Sequence, residues 1–199
     1  MSHPETSRPG LLLAAFPPEL GDLAEHPPEG WITGCVGIGV ACAAVGTARL
    51  IAAHAPSRVL FIGTCGAYDP CLKIGDCISV TEVLATSLEE IREVAYRPAI
   101  ERTLWKGDLP LPFPPHVVAT PPAITRSPEG AQALATMAEV EHLELSGVFE
   151  AARAAGIPVG AVLGVANRVG PDAHEEWSSH HVEVSRHLIG QLRERGVLG

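Results

Sequence analysis

The chain is short of positive charge, of aromatic residues, of paired cysteines and of long apolar runs, and each shortage removes a class of function. With 14 Lys and Arg against 23 Asp and Glu, the formal net charge is -9 and the pI is near 5.4. Such a balance offers no electrostatic footprint for a nucleic-acid backbone or an anionic membrane surface. The opening M-S-H-P-E-T-S-R-P-G is polar and Pro-rich, and the apolar run Leu11 to Phe16 after it is too short for a signal peptide or a membrane span. A cytoplasmic address is therefore expected, with residues 1–10 as a flexible N-terminal tail and residues 11–199 as a single domain. The cysteines number five, an odd count without C-x-x-C pairs, so neither disulfides nor zinc are expected. Aromatics make up only 5% while hydrophobic residues reach 46%, which suits an interior built from Ala, Val and Leu. No internal repeat or low-complexity segment is visible.

What the chain does have is concentrated in Arg58 to Val80, R-V-L-F-I-G-T-C-G-A-Y-D-P-C-L-K-I-G-D-C-I-S-V. Val59 to Ile62 reads as a strand buried on both faces, Gly63-Thr64-Cys65-Gly66 as a turn with open backbone amides, and the segment after Lys73-Ile74-Gly75-Asp76 as a second strand. Taken alone, a Gly-rich turn is more often packing than a site. The rest of the chain alternates in kind. Strands are expected at Leu11 to Ala15, Trp31 to Val36, Val117 to Ala119 and Val159 to Val165. Helices are expected at Ala41 to His54, stopped by Ala55-Pro56, at Ser127 to Met137 with Ser127 as N-cap and Pro128 at the first position, at Glu144 to Ala155 ending on Gly156, and over Glu175 to Arg195. Ser87 to Trp105 reads as mixed helix and extension, and Leu109 to Pro115 as irregular. The alternation predicts an α/β fold, a three-layer α/β/α sandwich around a mixed, mainly parallel central sheet. Ligands collect beyond the carboxyl ends of such strands.

Four polar residues fall at or near those ends: Glu19, Thr64, Glu144 and Asn167. Singly, each has an ordinary explanation as a solvated charge, a turn hydroxyl or a loop amide; together they suggest a site. His174, His180, His181 and His187 read as a solvated face of the last helix, since metal sites need convergent ligands.

The motifs A-A-F-P-P-E-L, V-G-I-G-V-A-C-A-A, G-T-C-G-A-Y-D-P-C-L-K-I-G-D, H-L-E-L and A-V-L-G-V-A-N occur in this order. In that order and over nearly the whole chain, the sequence resembles the purine nucleoside phosphorylase and nucleosidase superfamily, in particular its methylthioadenosine/adenosylhomocysteine nucleosidase-like members. The resemblance implies the nucleoside phosphorylase-like fold and a site assembled as follows. Glu19 would be the general base on an attacking water, and Phe16 would line the pocket for the 5′ substituent. Thr64, Cys65 and Gly66 would form the floor, with the Thr64 hydroxyl near that water. Leu143-Glu144 matches a Met-Glu pair whose carboxylate holds the ribose hydroxyls, and Ile124 would lie against the base. Asn167 would bind the purine at N7 and position 6. The partner so implied is a small-molecule purine nucleoside, with no cofactor and no metal, in a homodimer.

Asn167 narrows the substrate. Adenine-cleaving members of the superfamily place an aspartate there, whereas an amide offers a donor beside an acceptor and so matches a 6-oxo group beside a protonated N7. Bacterial phosphorylases of the superfamily carry an arginine just before the Gly-rich segment, where this chain has Phe61, so hydrolysis by water is expected. Asn167-Arg168-Val169-Gly170 followed by Trp177 most resembles the futalosine hydrolase branch, which releases hypoxanthine from futalosine in menaquinone biosynthesis. The chain departs from the family at Glu144 to Phe149 and at Pro171 to His174, both bordering the expected pocket. Two other readings stay open: a phosphate-dependent phosphorylase using an arginine such as Arg126 or Arg168 or one from a neighbouring subunit, and a non-catalytic nucleoside-binding relative.

Overall fold

A computed structural model describes residues 8–199. Its strands are β1 (Gly10–Ala14), β2 (Trp31–Cys35), β3 (Arg58–Ala67), β4 (Cys77–Ala85), β5 (Leu104–Lys106), β6 (Pro115–Thr120), β7 (Val140–Glu141) and β8 (Val159–Arg168). Its helices are α1 (Pro17–Leu20), α2 (Val40–His54), α3 (Leu88–Ile91), α4 (Pro128–Leu134), α5 (Leu145–Ala154) and α6 (Ala173–Glu194), with a 3-10 turn over Gly21–Ala24. The tail expected over residues 1–10 lies, for residues 1–7, outside the described residues. Gly10 already belongs to β1, and Ser57 N donates to Pro9 O at 2.9 Å.

Both faces of the central strands are apolar, and that fixes the layers. Leu11, Leu13, Val59, Phe61, Ala161 and Leu163 pack with Ala43 and Ile51 of α2 and Leu145, Val148 and Phe149 of α5. The alternate positions Leu12, Ala14, Leu60, Ile62 and Val162 pack with Leu188, Ile189 and Leu192 of α6. A side-chain period of two, apolar on both phases, is what a sheet covered on both faces requires. No helix among the described residues is long and apolar enough to cross a membrane.

The sheet is mixed, with five parallel and three antiparallel pairings. β1 pairs in parallel with β2 and β3, β3 with β8, β4 with β6, and β6 with β7, while β3–β7, β4–β5 and β4–β8 are antiparallel. The connection from β3 to β4 carries no helix, so the chain returns antiparallel without a crossover. Through β3–β7–β6–β4–β8 and back to β3 the pairings form a closed ring.

The Gly63 to Gly66 turn does not exist. β3 runs unbroken through Gly63, Thr64, Cys65 and Gly66, which pair with β8 across a register shift at Cys65/Gly66, and Gly66 also pairs with Glu141 of β7. The two glycines serve close approach instead of chain reversal. A Cβ on Gly63 would stand 3.2 Å from Glu19 Oε1 and from His142 Nε2, and one on Gly66 would stand 2.9 Å from Asn167 Nδ2. Elsewhere local chemistry behaves as read: the Ser127 hydroxyl accepts from Gly130 N at 2.9 Å to cap α4, and Gly156 takes a left-handed φ of 68° after α5.

Candidate active site

One cavity of ≈ 290 Å³ gathers the residues singled out from the sequence: Phe16, Glu19, Thr64, Cys65, Gly66, Ile124, Leu143, Glu144 and Asn167 all line it. Glu19 enters from α1, where the Phe16-Pro17-Pro18 approach places it in the first turn. Its Oε1 accepts from Thr64 N at 2.8 Å and from the Thr64 hydroxyl at 2.9 Å, and its Oε2 accepts from Ala15 N at 3.2 Å. The residue is 3% exposed. Burial raises its pKa from 4.5 to about 7, with the Thr64 bonds opposing and the nearby Glu144 charge assisting. A carboxyl poised near neutrality suits a general base.

Glu144 sits at the N-terminal end of α5, which begins at Leu145 rather than at Glu144. Its Oε1 accepts from Gly39 N at 2.8 Å, at the start of α2, where Gly39 has a φ of 85°. This contact depends on a close helix approach. A Cβ on Gly147 would stand 2.3 Å from Val40 O and 2.9 Å from Ala44 N, both in α2. Gly147→Ala should therefore force α5 away from α2 and lower the unfolding free energy by about 1–3 kcal/mol, read by urea denaturation; unchanged stability would mean that the two helices are free to separate. The other residues of the departure from the family pattern, Leu145, Val148 and Phe149, fill the core and do not line the cavity.

Asn167, at the end of β8, also lines the cavity. Its Nδ2 donates to Arg168 O at 2.9 Å, which fixes the amide orientation and leaves Oδ1 and one N–H for a ligand. Cys65 is buried, and burial pushes its thiol far up, so it is a wall and not a nucleophile. Ile124 is half exposed at the rim beside Ile38.

Sequence reasoning gave no role to two polar residues on this wall, Glu141 and His142, although they directly precede Leu143-Glu144. The Glu141 carboxylate accepts from Tyr68 OH at 2.6 Å and from Thr125 N at 3.2 Å, and burial raises its pKa. His142 Nδ1 lies 3.2 Å from both Glu144 N and Glu144 Oε2. Burial lowers the His142 pKa and the Glu144 carboxylate opposes this. Its ring packs edge-on against Phe61 at 5.2 Å.

The reading of the α6 histidines as a solvated face holds for His174 and His187, which are exposed, although His174 also lines the cavity. His180 and His181 are half-buried, and His181 stacks on Trp177 at 4.1 Å with an interplanar angle of 14°. An aromatic residue at the mouth, one helical turn before, supplies apolar surface that a histidine ring covers. Trp177 also lines the cavity, and its Nε1 donates to the Thr64 hydroxyl at 3.1 Å. Arg168 is committed elsewhere: its guanidinium donates to the carbonyls of Tyr68, Asp69 and Leu72. Arg126 is exposed and outside the lining, and among the described residues no lysine or arginine lines the cavity.

Comparison with solved structures identifies the same architecture in the 5′-methylthioadenosine/S-adenosylhomocysteine nucleosidase from Helicobacter pylori, at a TM-score of 0.83 and 16% identity over 96% of this chain and 98% of that one. Futalosine hydrolase of Helicobacter pylori gives a TM-score of 0.81 at 15% identity, covering 94% and 96%. The S-adenosylhomocysteine nucleosidase from Streptococcus pyogenes gives 0.81 at 15%, covering 96% of each chain. No match is found among curated protein sequences. The profile of one sequence family, described as the phosphorylase superfamily, matches residues 32–194. That span runs from β2 through α6 and takes in every lining residue except those of the β1–α1 corner, so the chain belongs to the phosphorylase superfamily.

Proposed function

We propose that the chain is an N-ribosyl hydrolase that cleaves the purine–ribose bond of a 6-oxopurine nucleoside with water, futalosine being the substrate its resemblance favours. The observation that carries this reading is the pairing of two buried carboxylates, Glu19 and Glu144, in one cavity whose described lining holds no cation for phosphate. A ribosyl C1′–N9 bond breaks through an oxocarbenium-like state, so a carboxylate beside the sugar stabilises the developing positive charge while a second activates water. Glu144 takes the first role and Glu19 the second. The water oxygen bonds to C1′ as C1′–N9 breaks, and Glu19 receives one of the water's protons while the other stays on the new C1′ hydroxyl. The departing base takes up a proton from solvent at N7, and Glu19 returns its own to solvent before the next turnover.

Asn167 meets that base with Oδ1 accepting from N7–H and the free amide N–H donating to O6. Phe16 and Trp177, 6.0 Å apart by ring centroids, supply the apolar wall for the 5′ substituent. The names of the solved relatives, nucleosidases and a futalosine hydrolase, support the same class of reaction. We take residues 11–199 as the catalytic domain, acting as a cytoplasmic homodimer, an assembly to be read by light scattering.

A phosphate-free panel of inosine, adenosine, methylthioadenosine and futalosine, read by chromatography, tests the reaction. Free hypoxanthine from the 6-oxo nucleosides is expected. Release only after phosphate is added would make the chain a phosphorylase, and no release under either condition would make it a nucleoside binder.

A further inference from the structure

Trp177 holds a contact that neither a 5′-pocket wall nor a helix-packing residue needs. Its indole Nε1 donates to the Thr64 hydroxyl at 3.1 Å, and that hydroxyl lies 2.9 Å from Glu19 Oε1. The direction of this chain is dictated by valence. An indole N–H only donates, so the Thr64 oxygen must accept from it. The single hydroxyl proton then points to the acceptor within reach, the Glu19 carboxylate. The indole itself is fixed on its faces: His181 stacks on it and is pinned by the contact of His181 Nδ1 with Trp177 O at 3.0 Å, while Phe16 tilts against it.

We propose that Trp177 is a positioning residue of the hydrolytic site, whose indole N–H commits the Thr64 hydroxyl as a donor to Glu19 and thereby holds that carboxylate in its base form. The proposal rests on the reading of Glu19 as general base. Thr64 is thus a donor to Glu19 first and can meet the water only as an acceptor. A polarised hydroxyl donates more strongly, and a hydrogen bond to the charged form opposes the burial that drives the Glu19 pKa upward.

The other groups around Glu19 come from every neighbouring element: Ala15 N after β1, Cys35 at the end of β2, Cys65 in β3, His142 across Gly63, and Glu144 at the start of α5. None of them is altered by a change at Trp177. Removing the indole N–H leaves the Thr64 hydroxyl free to rotate, which raises the Glu19 pKa. Because the base acts when ionised, the acidic limb of the pH–rate profile must then move to higher pH.

The experiment compares wild type with Trp177→Phe, Thr64→Val and the double variant on the 6-oxopurine nucleoside that the wild type cleaves. The acidic limb is expected to move up by about half a unit to one unit in each single variant and no further in the double. A Trp177→Phe limb that stays in place while KM rises would overturn the proposal, leaving Trp177 a wall of the pocket. Independent shifts that add in the double variant would overturn it as well. A second measurement needs neither turnover nor a change at Trp177. In the ligand-free wild type labelled with ¹⁵N, the Trp177 Nε1–H resonance should titrate with Glu19, with a midpoint of about 7, and lose that transition in Glu19→Gln. A resonance indifferent to Glu19→Gln sinks the relay even if the enzyme is active. Absence of turnover with a Glu19-linked titration sinks the hydrolase reading and leaves the relay standing.

Discussion

Glu19→Gln is expected to lower turnover at least about 10²-fold with the fold intact, because it keeps the size and the Oε1 acceptor of the carboxylate but cannot take a proton from water. The same substitution carries a second signature. The carboxyl has an ordinary value of 4.5, which holds in the unfolded chain, and a value of about 7 in the fold. Since the folded value is raised, the folded state is favoured while the group is protonated, and this advantage is lost as the pH climbs through that window. Wild type should therefore lose stability between pH 5 and pH 8 relative to Glu19→Gln, by up to about 3 kcal/mol. The glutamine amide facing Ala15 N offsets part of the gain at high pH. Urea denaturation at the two pH values, beside steady-state turnover, reads both effects. Near-normal turnover would remove Glu19 from the role of base, and equal pH slopes would mean that its carboxyl is solvated in the fold.

Asn167→Asp is the second large effect, expected to change the ratio of kcat/KM between 6-oxo and 6-amino nucleosides by about 10² in favour of the latter. The amide now spends one N–H on Arg168 O at 2.9 Å. An ionised aspartate would face that carbonyl with a lone pair, so the free carboxyl is favoured in its protonated form, its one O–H donating to Arg168 O. With an adenine nucleoside bound, that O–H turns to the bare N7 while the other oxygen accepts from the 6-amino group, the pattern an adenine edge needs, and the bond to Arg168 O is given up. Matched assays on inosine and adenosine decide this, and an unchanged ratio would mean that base choice lies elsewhere on the wall. Glu141, on the far side of Gly66 from Asn167 in the sheet, would then be the first place to look.

Much of the fold is legible because its signals are local. The capping pair Ser127-Pro128, the apolar runs of β1 and β8 and the Gly156 stop depend on neighbours in the chain, and the structure meets each near its expected place. The Gly63 to Gly66 segment misled for the same reason. Its composition is that of a turn, yet β7 and β8 pair with it on either side and hold it extended, and both pairings are remote in sequence. β7 has only two residues, too few for any periodicity to register.

By itself the sequence determined the chemical inventory of the site, two carboxylates, a hydroxyl and an amide, and the order of elements that could bring them to one end of a sheet. Only the tertiary structure decided what state those groups adopt. Protonation depends on burial, and the direction of a hydrogen bond depends on which donor stands where; Trp177 reaches Thr64 across 113 positions of chain. No local pattern encodes that meeting, because it arises from α6 packing its apolar stripe on the face of the sheet that carries Leu60 and Ile62.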